Sequence, residues 1–599
     1  MNRRLSPRTF RVAAAACAAL IISACGSDSP GEPPLPDPPS VSGVSENVVS
    51  PGDTITITGS NFVSPASDNS VTFTNPLGVS KPFAGNSTTL SVVVDQDATT
   101  GTIKVSHAGG SANGPAVEVE RGIGDFFVFG GVGSNYELAL PNPTATTRYL
   151  VVPFASEPSL PFSEDVGYSI GSSSTVPVAA ALPGAEAVRA AEAAGVGMQE
   201  AFEAWRWEQT RRFVERVGVP GPRPTMNRAE AADVQEFRQF NVLKTTTGSL
   251  TKPSSFSQVT AELRYTGTKC LVYADVDTLA SGENFTGADL RTIGQAFDNG
   301  IEATNVQYFG AYSDIDGNSK VIILITPGVN RLTPGGSGGF IAGFFLSVDL
   351  YSPPQVPTGT SNDGEIFYLL AADPVGTLSN GNKFPVDFTR DTNISTTAHE
   401  HEHMISFSHR IFHQGGATQV TWLEEGMAHM AEDLNGYTND NEKRAKIYLA
   451  NPGDRSLEDN TADLSQRGGI FLFLRLMADR YGDGILKQLV QSKCTGRACI
   501  ANATGMDFYD AAAEFFAALY MTGQGITADE RFNYTSIDLA DYGTLSVGPR
   551  LAGDEVVGEV RRSAGDFYVY SGVLGSESRF IFSALTNNIR LRHVIVRVQ

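Results

Sequence analysis

The sequence predicts a multidomain chain: a β-sandwich module first, then a larger α+β domain flanked by small β modules. Three observations predict this. Thr54-Ile55-Thr56-Ile57-Thr58 alternates strictly and runs into the turn signal Gly59-Ser60-Asn61. Residues 236–370 alternate strand-like and helix-like patterns. The aromatic strand Gly124-Asp125-Phe126-Phe127-Val128-Phe129 returns near the end of the chain as Gly565-Asp566-Phe567-Tyr568-Val569-Tyr570. The 599 residues are 41% hydrophobic and 18% charged, a globular composition. Lys and Arg number 44 against 65 Asp and Glu, a net charge of −21, so no nucleic-acid partner is expected. Five cysteines are too few for a disulfide scaffold.

Residues 1–24 read as a signal segment. Arg3, Arg4, Arg8 and Arg11 form its basic start, and the apolar stretch Val12 to Ile22 is too short to span a membrane. Ile22-Ser23-Ala24-Cys25-Gly26 resembles a bacterial lipobox, which implies a lipid anchor at Cys25 and an extracytoplasmic protein held to a bacterial membrane or cell surface. Residues 25–40 are a Pro-rich tether. In an oxidising compartment Cys494 and Cys499 are expected to close a short loop, leaving Cys270 as a buried thiol in a strand.

The first module covers 41–120. Its segments Pro51-Gly52-Asp53-Thr54-Ile55-Thr56-Ile57-Thr58-Gly59-Ser60-Asn61-Phe62 and Thr100-Gly101-Thr102-Ile103-Lys104-Val105 resemble the immunoglobulin-like IPT/TIG domain. The resemblance implies a β-sandwich that acts as a spacer or binds a surface protein or glycan. A β-rich module at 121–182 carries the first aromatic strand, and a C-terminal β module at 541–599 carries the second; they flank the middle or pair with each other. Residues 183–235 hold a helix and connector. Met198, Phe202, Trp205 and Phe213 recur there at helical spacing, a stripe expected to serve packing. The α+β domain is placed at 236–540.

Six of the eight histidines lie between residues 399 and 429. In Thr397-Ala398-His399-Glu400-His401-Glu402-His403, His399 and His403 are four apart and share one face of a helix that Asn393 or Ser395 is expected to cap. Two imidazoles so placed can hold one zinc ion, with Glu400 as general base toward a zinc-bound water. The spelling is open to other readings. His399-x-x-Glu402-His403 is also the inverted motif, with Glu402 as base. His409 stands where a third histidine ligand would, but Ser406 replaces the glycine that arrangement needs. Further on, Trp422-Leu423-Glu424-Glu425-Gly426-Met427-Ala428 places Glu425 22 residues after His403.

That last segment resembles the Trp-Leu-x-Glu-Gly-x-Ala stretch of the gluzincins, and the resemblance implies Glu425 as third zinc ligand and Glu400 as base. The wider match, from about Ala261 to Gln491, is to the hyicolysin family of bacterial neutral metallopeptidases. It also rests on Phe309-Gly310-Ala311-Tyr312-Ser313-Asp314-Ile315-Asp316-Gly317-Asn318 and on Phe471-Leu472-Phe473-Leu474 before Arg480-Tyr481-Gly482. It implies a thermolysin-like zincin fold and a zinc endopeptidase acting on protein or peptide substrates. The Gly-x-Met-Glu-Asn motif of related aminopeptidases is absent. His429 stands where relatives place an acid behind a zinc histidine, and Glu432 is one turn further on. The oxyanion partner is open among His429, Tyr437, Tyr448 and Arg467. Asp314, Asp316 and Asn318 alternate as in calcium loops, but Gly317 is at loop position four rather than six. A tight turn is expected there, with a structural calcium ion as the alternative. The competing functional class is a surface adhesion or glycan-binding lipoprotein with a degenerate peptidase domain.

Overall fold

The computed structural model describes residues 35–599 apart from 133–134, 142–143, 145, 163, 173–196, 220–233, 280–283, 353–354, 461–462, 549–554, 572–576 and 586–588. The expected signal segment 1–24, Cys25, the first part of the tether, the start of the 183–235 segment and most of its connector lie outside these residues. Among the described residues no helix is long and apolar enough to cross a membrane.

Residues 40–119 form a sandwich of a four-stranded and a five-stranded sheet. Ile55, Ile57, Leu90 and Val92 of one sheet meet Val71, Phe73, Ile103 and Val105 of the other, all fully buried. The period-two alternation of these segments places every second residue in that core.

The two copies of the aromatic repeat build one further sandwich. Its first sheet has the order Phe126–Val132, Arg590–Arg597, Arg148–Ala155, Tyr568–Ser571. Its second has the order Asn135–Pro141, Glu577–Ala584, Val166–Ser172, Val556–Val560. Strands from the 121–182 segment thus interleave with strands from the 541–599 segment, and neither segment is a module by itself. The repeated strands Phe126–Val132 and Tyr568–Ser571 lie at opposite edges of one sheet. The physical reason is pairing: each half leaves open strand edges that the other half fills. This sandwich also carries a helical lobe, with Phe126 against Phe532 and Phe154 against Phe516, ring centroids 5.1 and 5.6 Å apart.

Between the halves lies a six-stranded mixed sheet, ordered Phe237–Leu243, Phe256–Thr266, Cys270–Asp275, Val321–Ile325, Ile366–Leu369, Gly343–Phe345. Val321–Ile325 runs parallel to both neighbours and is buried at every residue, as its continuous apolar run requires. Cys270 is fully buried in this sheet. The edge strand Gly343–Phe345 runs antiparallel to Ile366–Leu369.

Helix α1 spans Met198–Val217 and lies on this sheet through Phe202 against Phe344 and Phe213 against Tyr351. All four members of the expected stripe pack, Phe202 and Phe213 buried in the core of this sheet and Met198 and Trp205 half-buried against it. Helix α2, Val386–Phe407, crosses beside the edge strand. A β-carbon on Gly343 would lie 2.8 Å from Thr396 Cγ2, so only glycine admits α2 this close. Helix α2 begins several residues before the expected cap. Asn393 is interior to it, and its Nδ2 donates to the Leu370 carbonyl at the end of the sheet. After α2 come α3, Thr421–Leu434, α4, Asn439–Ala450, and α5, Leu464–Tyr481, followed by shorter helices and by α6, Phe508–Met521. Cys494 and Cys499 form a disulfide within this lobe.

Asp349 is buried beneath the sheet and accepts from Asn362 N at 2.7 Å and from the Tyr368 hydroxyl at 2.6 Å. Burial pushes its pKa up to about 7, against the pull of those hydrogen bonds. An unfolded Asp titrates near 3.9. The folded state therefore holds a proton that the unfolded state releases, and the stability this confers is present at low pH and lost as pH rises through about 7. Chemical denaturation between pH 4 and 8 should show a decline on the order of 2–4 kcal/mol from this group. Asp349→Asn, which resembles the protonated form, should flatten that decline.

Candidate metal centre

The helical repeat of α2 stacks His399 over His403, with ring centroids 4.7 Å apart. Glu425 reaches them from α3. Its Oε2 lies 3.3 Å from His399 Nε2 and its Oε1 lies 3.6 Å from His403 Nε2. Gly426 follows it, and a β-carbon there would meet Leu474 and Ile470 at 2.8 and 2.9 Å. That missing side chain lets α5 pack directly on α3, and α5 brings Arg467 Nη1 to 2.9 Å from Glu425 Oε2. Glu400 groups with His399 and His403, one donor atom of each within 4.8 Å of the others. Its Oε2 accepts from Phe345 N of the edge strand at 2.8 Å.

Helix α1 closes the site from the other side. Trp207 Nε1 donates to Glu425 Oε1 at 2.5 Å, and its ring packs edge-on against His403. Arg206 Nη2 lies 3.8 Å from Glu425 Oε1 and 4.0 Å from Glu400 Oε2. Glu203 Oε1 lies 3.7 Å from His399 Nε2, and its Oε2 lies 3.3 Å from Arg467 Nη2. Glu203, Arg206, Trp207, His399, Glu400, His403 and Glu425 are all buried. None of the three α1 residues was singled out from the sequence. The available signal was a polar stripe: Glu203, Arg206 and Thr210 recur at helical spacing and face inward.

Behind His399 and His403, His399 Nδ1 is 2.7 Å from Glu432 Oε1, which orients the ring with Nε2 toward Glu425. His429, the residue at the acid position, lies 3.4 Å from Glu432 Oε2. Glu402, the base of the inverted reading, is instead behind His403, 3.4 Å from Nδ1 and on the side of Glu424. His409 pairs with His413 and Gln491, outside every His/Cys/Asp/Glu cluster found among the described residues. Of the four oxyanion candidates, His429 borders His399 and Arg467 borders Glu425. Tyr448 packs against Phe515 in the lobe core, and Tyr437 packs at the margin of the sheet core.

The donor set fits zinc. His399 Nε2 and His403 Nε2 are buried without hydrogen-bond partners and face a carboxylate. Tetrahedral ligands about 2.0–2.1 Å from one ion are themselves roughly 3.3 Å apart. Burial, and then the Arg206 charge, hold His403 well below the usual histidine range, so it is the neutral imidazole a metal requires. Burial raises the Glu400 pKa, with Arg206 pulling the other way.

Elsewhere, Asp314, Asp316 and Glu365 bring one carboxylate oxygen each within 4.8 Å of the others. Glu365 comes from the residue before strand Ile366–Leu369 and was not read from the sequence. Its Oε1 accepts from Ser313 Oγ and Ile315 N, while its buried Oε2 has no hydrogen-bond partner.

Glu432→Ala should lower zinc affinity about 10- to 100-fold, the usual cost of losing a carboxylate behind a metal histidine. Competition against a chromophoric chelator measures it, and the melting curve should stay cooperative.

No family model matches the chain. Over 300 residues, 46% of this chain and 59% of the relative, it is 24% identical to the neutral metalloprotease ShpI of Staphylococcus hyicus. The chain thus spans less than two thirds of that relative's length. Among solved structures, an auxiliary nutrient binding protein from Bacteroides thetaiotaomicron is 20% identical, covers 20% of this chain and 24% of its own, and has a TM-score of 0.14. SGBP-B from a xyloglucan utilization locus in Bacteroides uniformis is 20% identical over 23% of this chain and 51% of its own, with a TM-score of 0.12. At such TM-scores these likenesses carry no argument. The sequence relationship is to a metalloprotease, and a metalloprotease relative implies a metal.

Proposed function

We propose that this protein is a zinc-dependent endopeptidase with a thermolysin-like catalytic domain, acting on extracytoplasmic proteins and anchored to a bacterial membrane through Cys25. The observation that carries the reading is the convergence of His399, His403 and Glu425 beside Glu400, whose carboxylate is fixed by an edge-strand amide. Such an edge leaves backbone groups with which an extended peptide pairs.

His399, His403 and Glu425 would hold the ion. Zinc in that place supplies a Lewis acid and a water of lowered pKa. Glu400 takes the proton from the attacking water and returns it to the nitrogen of the leaving amine as the C–N bond breaks. The Phe345 amide holds Glu400 Oε2 in place for both transfers. His429 and Arg467 are the donors nearest the ligands for the charge that develops on the carbonyl oxygen. The sandwich at 41–120 serves as an IPT/TIG-like spacer or surface-binding module. A structural calcium ion at Asp314, Asp316 and Glu365 belongs to the same reading: three hard oxygen donors, one of them buried without a partner, suit that cation.

On a mixed peptide library read by mass spectrometry, the zinc-loaded protein should give internal cleavages. Glu400→Gln should lose at least about 10²–10⁴-fold of that rate while keeping its zinc. Release of single N-terminal residues instead would mean an aminopeptidase. Zinc-loaded protein that cleaves nothing, with its α1 contacts removed as well, would favour the adhesion class. Millimolar Ca²⁺ should raise the melting temperature of the wild type by about 2 °C or more, the shift that roughly 1 kcal/mol gives in a unit of this size. It should leave Glu365→Gln unmoved. Equal shifts in both proteins would rule out this site.

A further inference from the structure

Helix α1 does more than pack. Three of its features meet the catalytic apparatus, and each takes a place that substrate chemistry needs. First, Glu203 turns a carboxylate toward the ligands: one oxygen each of Glu203 and Glu425 and a nitrogen of His399 lie within 4.8 Å of one another. Second, α1 side chains satisfy the backbone of the sheet edge. Gln199 Nε2 donates to Gly343 O at 3.1 Å, Gln199 Oε1 accepts from Ala342 N at 2.8 Å, and Arg206 Nη1 donates to Phe345 O at 3.2 Å. Those are the groups an extended peptide would pair with. Third, Arg206 and Trp207 engage Glu425 and Glu400, the third ligand and the base. The result is a site with His399 at 4% exposure and His403, Glu400 and Glu425 at 0%, which a peptide reaches only when α1 moves aside.

We propose that α1 is an intramolecular plug: it lies in the substrate cleft, with Glu203 at the position the reacting water needs and Gln199 and Arg206 on the strand that would bind substrate. The inference rests on the zinc-peptidase reading. Charge complementarity explains why a helix holds there. Glu203 and Glu425 share the Arg467 guanidinium, while Arg206 bridges Glu425 and Glu400, so each buried charge has an opposite neighbour. Burial would raise the Glu203 pKa, yet Arg467, then His399 and Arg206, hold it below the usual range. The outer face of α1 is an ordinary solvated surface, with Arg211 paired to Glu208 and Glu215. Beside it a cavity of about 680 Å³ runs between α1 and the 415–421 loop that leads into α3. This opening is where displacement of α1 would begin to expose the ligands.

The test compares the zinc-loaded full chain with the double variant Glu203→Gln, Trp207→Ala. Two rates are read: extraction of zinc by a chelator in excess, and cleavage of a quenched peptide selected from the library. With the plug weakened, both should rise about tenfold or more, the scale set by hydrogen bonds to charged groups. Faster extraction with no cleavage by either protein sinks the peptidase reading and, with it, the plug, leaving α1 as a cover over a metal site. Equal extraction and equal cleavage overturn the plug and leave the peptidase reading standing. If the double variant melts non-cooperatively, Glu203→Gln alone, nearly isosteric, is judged by the same two rates.

Discussion

The Glu425 carboxylate is the interaction on which this structure depends. It is fully buried, and it faces His399 and His403 from α2, Arg467 from α5, and Arg206 and Trp207 from α1. A buried charge is tolerated only when opposite charges and donors surround it. That requirement fixes three other helices relative to α3, and the packing meets it. Gly426 admits α5, Gly343 admits α2, and Phe202 and Phe213 seat α1 on the sheet.

The outer architecture holds this arrangement from both ends of the chain. Strands on either side of the middle region interleave in one sandwich, and that sandwich shares a core with the helical lobe. Pairings such as Phe126 with Val596 join residues hundreds of positions apart. The cost of closing so long a loop grows only slowly with length, and a continuous sheet offsets it. The first sandwich is tied on by short contacts: Asn75 Nδ2 donates to Val128 O at 2.7 Å and Val128 N donates to Asp97 Oδ1 at 2.7 Å.

What could be read from the sequence was local. Strict alternation at Thr54–Thr58 gave a strand, and the continuous apolar run at Val321–Ile325 gave a buried one. The four-residue spacing of His399 and His403 placed two imidazoles on one helical face because the period of the helix is fixed. Partners brought by tertiary contact could not be read this way. Trp207 and Glu425 are 218 residues apart, and Glu365 meets Asp314 and Asp316 only because a parallel strand pair aligns them. The aromatic stripe of α1 drew attention to one face of that helix, while its polar stripe carried the contacts to the site. The helix cap expected at Asn393 failed for a related reason: the side chain found a carbonyl at the sheet end, and the helix continued through it. The repeat of aromatic strands was visible in the sequence. That its two copies would share a sheet was open, because edge pairing leaves no trace within either copy.

The most direct test of the account is crystallography of the zinc-loaded full chain with anomalous data at the zinc edge. The account predicts one strong peak about 2.0–2.2 Å from His399 Nε2, His403 Nε2 and a Glu425 oxygen, with α1 across the site. A peak at Glu402, His403 and Glu424, or a zinc ion at His399 and His403 that Glu425 does not touch, would contradict it.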